Sequence, residues 1–237
     1  MPNWCNNYLR VDGPVEDVTR FREEVKSKDS EGNETCLSFE KHVPMEGPDE
    51  DWYNEHCDKW GTKWDACEPE IINDEPEKGY LSYSFQTAWA PPCPWLMKVV
   101  ELFPTLNFEM DYEEPGCVIY GVSTGSEGKF SDREMSHAEY LMEYNEEYTE
   151  LVKKVRKMTQ EELIASFAGI NNFGDCCVED EDWPNEEWND YEMFDFGCLS
   201  EEIVNLIEVK NLPLFMNVNW GSDYANDLFK ERIKKGV

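Results

Sequence analysis

Between Lys157 and Lys210 the chain contains no Lys or Arg, while Met158 to Val209 carries 15 Asp and Glu residues. So one-signed a stretch repels itself when compacted, and it folds only if something else holds it together. The same stretch supplies Trp183, Trp188, Tyr191, Phe194 and Phe196. Disordered acidic chains lack such rings, so the segment reads as a folded surface pinned by its aromatics, not as a tail.

The bias extends to the whole protein, where 52 Asp and Glu face 21 Lys and Arg for a net charge of −31. Nonspecific binding to nucleic acid or to an anionic membrane needs cationic patches, so the charge favours basic proteins and cations as partners. A chain of 237 residues that is 40% hydrophobic and 14% aromatic has ample material for one large core or two modest ones. No apolar run reaches membrane-spanning length, and Met1-Pro2-Asn3-Trp4 lacks the regions of a signal peptide, so a soluble cytoplasmic protein is expected. The nine cysteines show no C-x-x-C spacing, which indicates free thiols instead of a disulfide framework or zinc site. No cofactor or metal is expected.

Alternation at Tyr8, Leu9 and Val11 predicts a strand over Asn7 to Asp12, ended by Asp12-Gly13. Val15, Val18, Phe21 and Val25 follow at helical spacing after Pro14. Leu37 and Phe39 suggest a second strand over Cys36 to Val43, and Leu81, Tyr83 and Phe85 a third over Gly79 to Thr87, with a Trp-rich insertion, 44–78, between them. Pro91-Pro92 opens a helix striped by Trp95, Val99, Leu102 and Phe103, and two more strands cover Leu106 to Tyr112 and Val118 to Val122. This βαββαβ order, plus one strand, predicts an α+β fold: a ferredoxin-like split βαβ sandwich over residues 1–130.

From Met135 to Met158 apolar residues recur every three or four positions, which predicts one long helix over 134–158 and a mainly helical acidic region over 131–237. Its apolar stripe also offers a surface for homo-oligomer assembly. Further helices are expected over Glu161 to Phe167 behind Thr159 and over Glu201 to Val209 behind Ser200, with a strand over Leu214 to Trp220 and a closing helix over Ser222 to Lys235.

Four ordered motifs stand out in the first half: Met1-Pro2-Asn3-Trp4-Cys5 with Asn7, Trp60-Gly61-Thr62-Lys63-Trp64-Asp65, Phe85-Gln86-Thr87-Ala88-Trp89-Ala90-Pro91-Pro92, and Tyr112-Glu113-Glu114-Pro115-Gly116. Together they resemble the YubB ferredoxin-like family, carried by phages and plasmids, over roughly residues 1–125. The resemblance implies a ferredoxin-like sheet and a mobile-element setting inside a host cell. It implies no activity and no catalytic residues.

No catalytic residues are assigned. His42, His56 and His137 lie in separate elements, and the adjacent His56-Cys57 does not point to a dyad. Asp49-Glu50-Asp51 and Glu179-Asp180-Glu181-Asp182 are cation candidates, but an EF-hand loop from Asp180 fails at Asn185 and Tyr191, where Gly and Glu are required. Trp60, Lys63, Trp64, Asp65 and Trp89 can wall a pocket that stacks a nucleotide or signal molecule; the competing reading is that these tryptophans are core.

The preferred expectation, set against the competing reading of a solvated acidic coat with buried aromatics, is a non-enzymatic phage or plasmid accessory protein. It would bind and inhibit a basic, nucleic-acid-binding host defence protein through a DNA-mimic surface, without contacting nucleic acid itself. That surface would be built from Glu179, Asp180, Glu181, Asp182, Trp183, Glu186, Glu187, Trp188, Asp190 and Tyr191. Alternatives are a small-ligand sequestering module using the Trp pocket, and a structural or assembly protein.

Overall fold

The computed structural model describes residues 2–28, 32, 34–46, 51–168, 193–218, 220 and 223–236. These divide into two compact units, Met1–His137 and Ala138–Val237, where the sequence placed the division at 130/131.

In the first unit β1 (Trp4–Asp12) leads into α1 (Val15–Glu24) and a small hairpin, β2 (Ser27–Lys28) with β3 (Glu34–Thr35). Then come α2 (Trp52–Trp60), β4 (Cys67–Glu75), β5 (Tyr80–Ala88), α3 (Cys93–Leu102), β6 (Asn107–Glu114), β7 (Ile119–Ser126) and β8 (Lys129–Met135). Six strands form one antiparallel sheet in the order β4-β5-β1-β6-β7-β8. The first four are the ferredoxin-like arrangement, and β7 and β8 extend it.

Alternation along β1 sends Cys5, Asn7, Leu9 and Val11 inward and leaves Trp4, Asn6, Tyr8 and Arg10 on the other face. The inward set of β1, β5 and β6 packs against Val18 and Phe21 of α1 and Trp95, Leu96, Val99 and Val100 of α3. Gly125 makes close docking of α3 possible, because a Cβ there would lie 2.1 Å from the Val100 side chain.

The second strand of the split βαβ is not where alternation placed it. Phe39–Lys41 is a 3₁₀ turn, and Phe39 is fully buried with its ring 4.6 Å from Trp95 and 5.8 Å from Trp60 and Phe85. Burying such a ring is worth about 1.5–3 kcal/mol. The strand is β4, inside the stretch read as an insertion. As an edge strand rich in Glu68, Glu70, Asn73, Asp74 and Glu75 it lacks the apolar signature that marks buried strands. Arg22 of α1 ties it down, Nε donating to Asp74 Oδ1 at 2.6 Å.

In the second unit the single long helix is not formed. Lys129–Met135 is the edge strand β8, and the apolar period that follows spans two helices, α4 (His137–Tyr144) and α5 (Glu146–Arg156). Asn145 breaks them: its side chain accepts from Tyr148 N at 2.8 Å as an N-cap, and Glu146 and Glu147 suit the first turn. Leu141, Leu151, Val152 and Val155 are spent on this unit's own core, which removes the stripe read as an assembly surface.

Helix α6 (Gln160–Phe167) starts as expected, with Thr159 and Glu162 forming a capping box. Helix α7 (Met193–Leu206) begins earlier than expected, so Ser200 is a buried interior residue and not a cap. Val209–Phe215 is 3₁₀ helix where a strand was expected to begin, with Leu212 and Phe215 in the core, and α8 (Asp223–Lys235) closes the chain. Gln160 finishes α7: Nε2 donates to Leu206 O at 2.8 Å and Oε1 accepts from Glu208 N at 2.7 Å. Among the described residues no helix is long and apolar enough to cross a membrane.

Two histidines of the first unit are held neutral by burial. His42 lies parallel to Phe21 at 5.9 Å, and neither ring nitrogen has a hydrogen-bond partner, Glu24 Oε2 standing off at 3.8 Å. Desolvation lowers its pKa, and lowers that of His137, stacked on Tyr120 at 4.4 Å, to about 4. Unfolding restores the ordinary 6.5, so the unfolded chain binds protons that the native chain refuses. The stability these groups contribute is complete above pH 6.5 and is lost as pH falls through 6.5 toward about 4. Acidification also relieves the repulsion of a −31 chain, so the test is a comparison. Thermal melts should show His42→Phe gaining on the wild type as pH drops below 6.5. A pH-independent difference would contradict the assignment.

Candidate functional site

The four sequence motifs meet at one end of the first unit's sheet, because the β1 ladders align them. Trp4 pairs with Ala88, Asn6 with Gln86 and with Glu113, and Asn7 with Phe85 and Tyr112. The turn at Gly61–Ala66 joins them through Thr62, whose Oγ1 donates to Ala88 O and accepts from Ala88 N, both at 3.0 Å.

Much of the motif chemistry is consumed in building this end. Asn7 is buried, its Nδ2 donating to Cys5 O at 3.0 Å and Thr87 Oγ1 at 2.9 Å. Glu114, 2% exposed, accepts from Gly116 N at 3.0 Å and Cys117 N at 2.6 Å and so closes the Pro115-Gly116 turn. Asp65 accepts from Ser38 Oγ at 2.7 Å, Phe39 N at 2.6 Å and Ala66 N at 2.7 Å, fixing the turn that drives Phe39 into the core. Trp60 is 3% exposed and donates Nε1 to Val43 O at 2.8 Å. Of the residues read as pocket walls, Trp60 is therefore core and Asp65 a turn clamp, while Lys63, Trp64 and Trp89 reach the surface.

That surface is aromatic. Trp52, Tyr53, Trp64 and Trp89 are 40%, 50%, 36% and 45% exposed. The Trp4 and Trp64 rings lie 6.0 Å apart at 42°, and Lys63 Nζ sits 4.6 Å from the centre of the Trp64 ring, a cation–π contact. On the open sheet face beside Trp4, Gln86 Nε2 donates to Asn6 Oδ1 at 3.0 Å, and Asn6 Nδ2 donates to Glu113 Oε1 at 3.2 Å. Asp58, Glu68 and Glu70 are exposed on the neighbouring α2 and β4.

A second polar cluster escaped the sequence reading. Ser123 Oγ and Tyr112 OH donate to Asp132 Oδ1 at 2.6 and 3.1 Å, and Cys93 Sγ lies 3.3 Å from Ser123 Oγ. These residues lie far apart in sequence, so no spacing announces them. Burial, reinforced by the Asp132 charge, pushes the Cys93 thiol up to about 12, and burial does the same to Cys5. Both thiols stay protonated at neutral pH and are poor nucleophiles; the cluster pins β8 and the start of α3 to the sheet.

The acidic residues expected to bind a partner, Glu179 through Tyr191, lie outside the described residues, as do Asp49, Glu50 and the Glu179–Asp182 run. Among the described residues no group of His, Cys, Asp or Glu is placed to hold a metal ion.

Residues 59–155 match a family model described as the ferredoxin-like domain in Api92-like protein, in agreement with the sheet order of the first unit. A crystal structure of the protein api92 from Yersinia pseudotuberculosis is similar to this chain at 10% sequence identity, covering 57% of this chain and 99% of that one with a TM-score of 0.46. No curated protein matches.

Trp89 combines exposure with backbone strain. Its φ is +76°, a conformation that costs a side-chain-bearing residue about 1–2 kcal/mol, and its N–H donates to Asn3 O at 3.0 Å. The strand must turn here, just before Pro91-Pro92, yet a glycine does not occupy the turn. An exposed indole at a strained position marks Trp89 as a candidate contact residue. Trp89→Gly should be more stable than Trp89→Ala by about 1 kcal/mol in urea titration, since both lose the ring and only glycine relieves the strain.

Proposed function

We propose that this protein is a non-enzymatic binding protein that inhibits a basic, nucleic-acid-binding host protein by presenting an acidic surface in place of DNA. The observation that carries the reading is the setting of exposed Trp52, Trp64 and Trp89 among the exposed carboxylates Asp58, Glu68 and Glu70, in a chain of net charge −31. Carboxylates alone give solubility and long-range attraction; anchored affinity comes from buried aromatics at the centre of an interface. Here the anchors stand on a rigid sheet end, braced by Asn7, Thr62, Asp65 and Glu114, so they are ordered before a partner arrives. The acidic residues Glu179 to Tyr191, with Trp183 and Trp188, are proposed to bind the partner by the same chemistry. The motif resemblance to YubB proteins of phages and plasmids is the reason for taking a host protein as the target.

The test is competition. Proteins retained from host lysate by the immobilised chain at about 50 mM salt should be enriched in basic nucleic-acid binders, should elute by about 200 mM salt, and should be displaced by duplex DNA. Retention that is insensitive to salt and to DNA would exclude mimicry. Trp64→Ala should weaken binding of the captured partner by about tenfold or more, whereas a purely electrostatic coat would be indifferent to it.

A further inference from the structure

We propose that the open sheet face between Trp4 and Glu113 is a receptor site for an arginine side chain of the partner. The inference rests on the basic-partner reading and adds the chemistry of the contact. Gln86, Asn6 and Glu113 stand side by side on β5, β1 and β6 at one level of the sheet, as the pairings Asn6 with Gln86 and Asn6 with Glu113 require. Their hydrogen bonds run one way, from Gln86 Nε2 to Asn6 Oδ1 and from Asn6 Nδ2 to Glu113 Oε1. The row therefore leaves Gln86 Oε1 and Glu113 Oε2 as acceptors at its two ends, beside the second N–H of each amide. The Glu113 carboxylate accepts only, so a ligand that meets it brings donors, and a cationic ligand gains the Glu113 charge as well.

Trp4 projects from the same face of β1, two residues from Asn6, with Trp64 6.0 Å away. Lys63 already covers Trp64, a cation held against this aromatic surface, and among the described residues no cation covers Trp4. A guanidinium meets both requirements at once: its plane stacks on an indole and its edge carries donors in a fixed fork toward a carboxylate. An ammonium has neither the plane nor the fork. A nucleotide stacks as well, but its phosphate enters the field of a −31 chain and faces the Glu113 carboxylate.

The experiment titrates the full chain with oligo-arginine and oligo-lysine peptides of equal length, following tryptophan fluorescence, and repeats both titrations with Glu113→Gln. The amide of the variant keeps an acceptor for Asn6 and sits on the open sheet face, so the fold is retained, as its melting temperature will confirm. The expected result is about tenfold tighter binding of the arginine peptide, and a loss of about fivefold or more for that peptide alone in the variant. Equal affinities, or a variant without effect on the arginine peptide, overturn the arginine site while salt-sensitive binding of both peptides leaves the basic-partner reading in place. Binding of neither peptide overturns both. Displacement of the arginine peptide by a stoichiometric amount of guanosine or adenosine monophosphate overturns the assignment in favour of a nucleotide site.

Discussion

Strand β1 is hydrogen-bonded along both edges, to β5 across Trp4–Asp12 and to β6 across Asn6–Asp12, and every feature of the candidate site depends on that double ladder. A strand held on both sides cannot slip by one residue without exchanging Leu9 and Val11 for Tyr8 and Arg10 in the core. Register is thereby locked, and with it the alignment of Gln86, Asn6 and Glu113 and the approach of Trp4 to the turn that carries Trp64. The buried Asn7 amide tightens the same arrangement, since an unpaired amide in that position would cost about 1–3 kcal/mol.

The elements read correctly from the sequence were those whose burial is one-sided and deep. β1, β5, α1 and α3 carry clean periods because one face meets the core and the other meets water. β4 and β8 were missed because edge strands with charged residues on both faces have no period of hydrophobicity to detect, and β4 accordingly passed for an insertion. Phe39 misled for the opposite reason: with Leu37 it looks like alternation, although Asp65 bends the chain so that both are buried. At Asn145 the apolar spacing ran through a helix break, and only the cap residue and the glutamates after it mark the division.

The candidate site was legible as a set of residues but not as a division of labour. Sequence proximity groups Trp60, Lys63, Trp64 and Asp65, yet the helical position of Trp60 turns it inward, and the turn geometry commits Asp65 to backbone N–H groups. Other surface members come from the start of α2, from β1 and β6, and from the end of β5. Asn6 and Glu113 could not be joined to Trp64 without the sheet register, and the Cys93–Ser123–Asp132–Tyr112 cluster needed the positions of α3, β7 and β8 as well.

The charge placed on β4 has a consequence for how molecules of this kind behave in a crowd. A sheet's open edge is a template for any strand of compatible register, and another copy of the same chain is the nearest supply at high concentration. Edge-to-edge pairing of two β4 strands would bring the carboxylates of each copy, Glu68 and Glu70 among them, close to those of the other. Like repels like at this edge, one of the two where sheets could fuse into a larger aggregate. The edge is thus closed to its own kind while it remains open, electrostatically, to a strand that carries lysine or arginine.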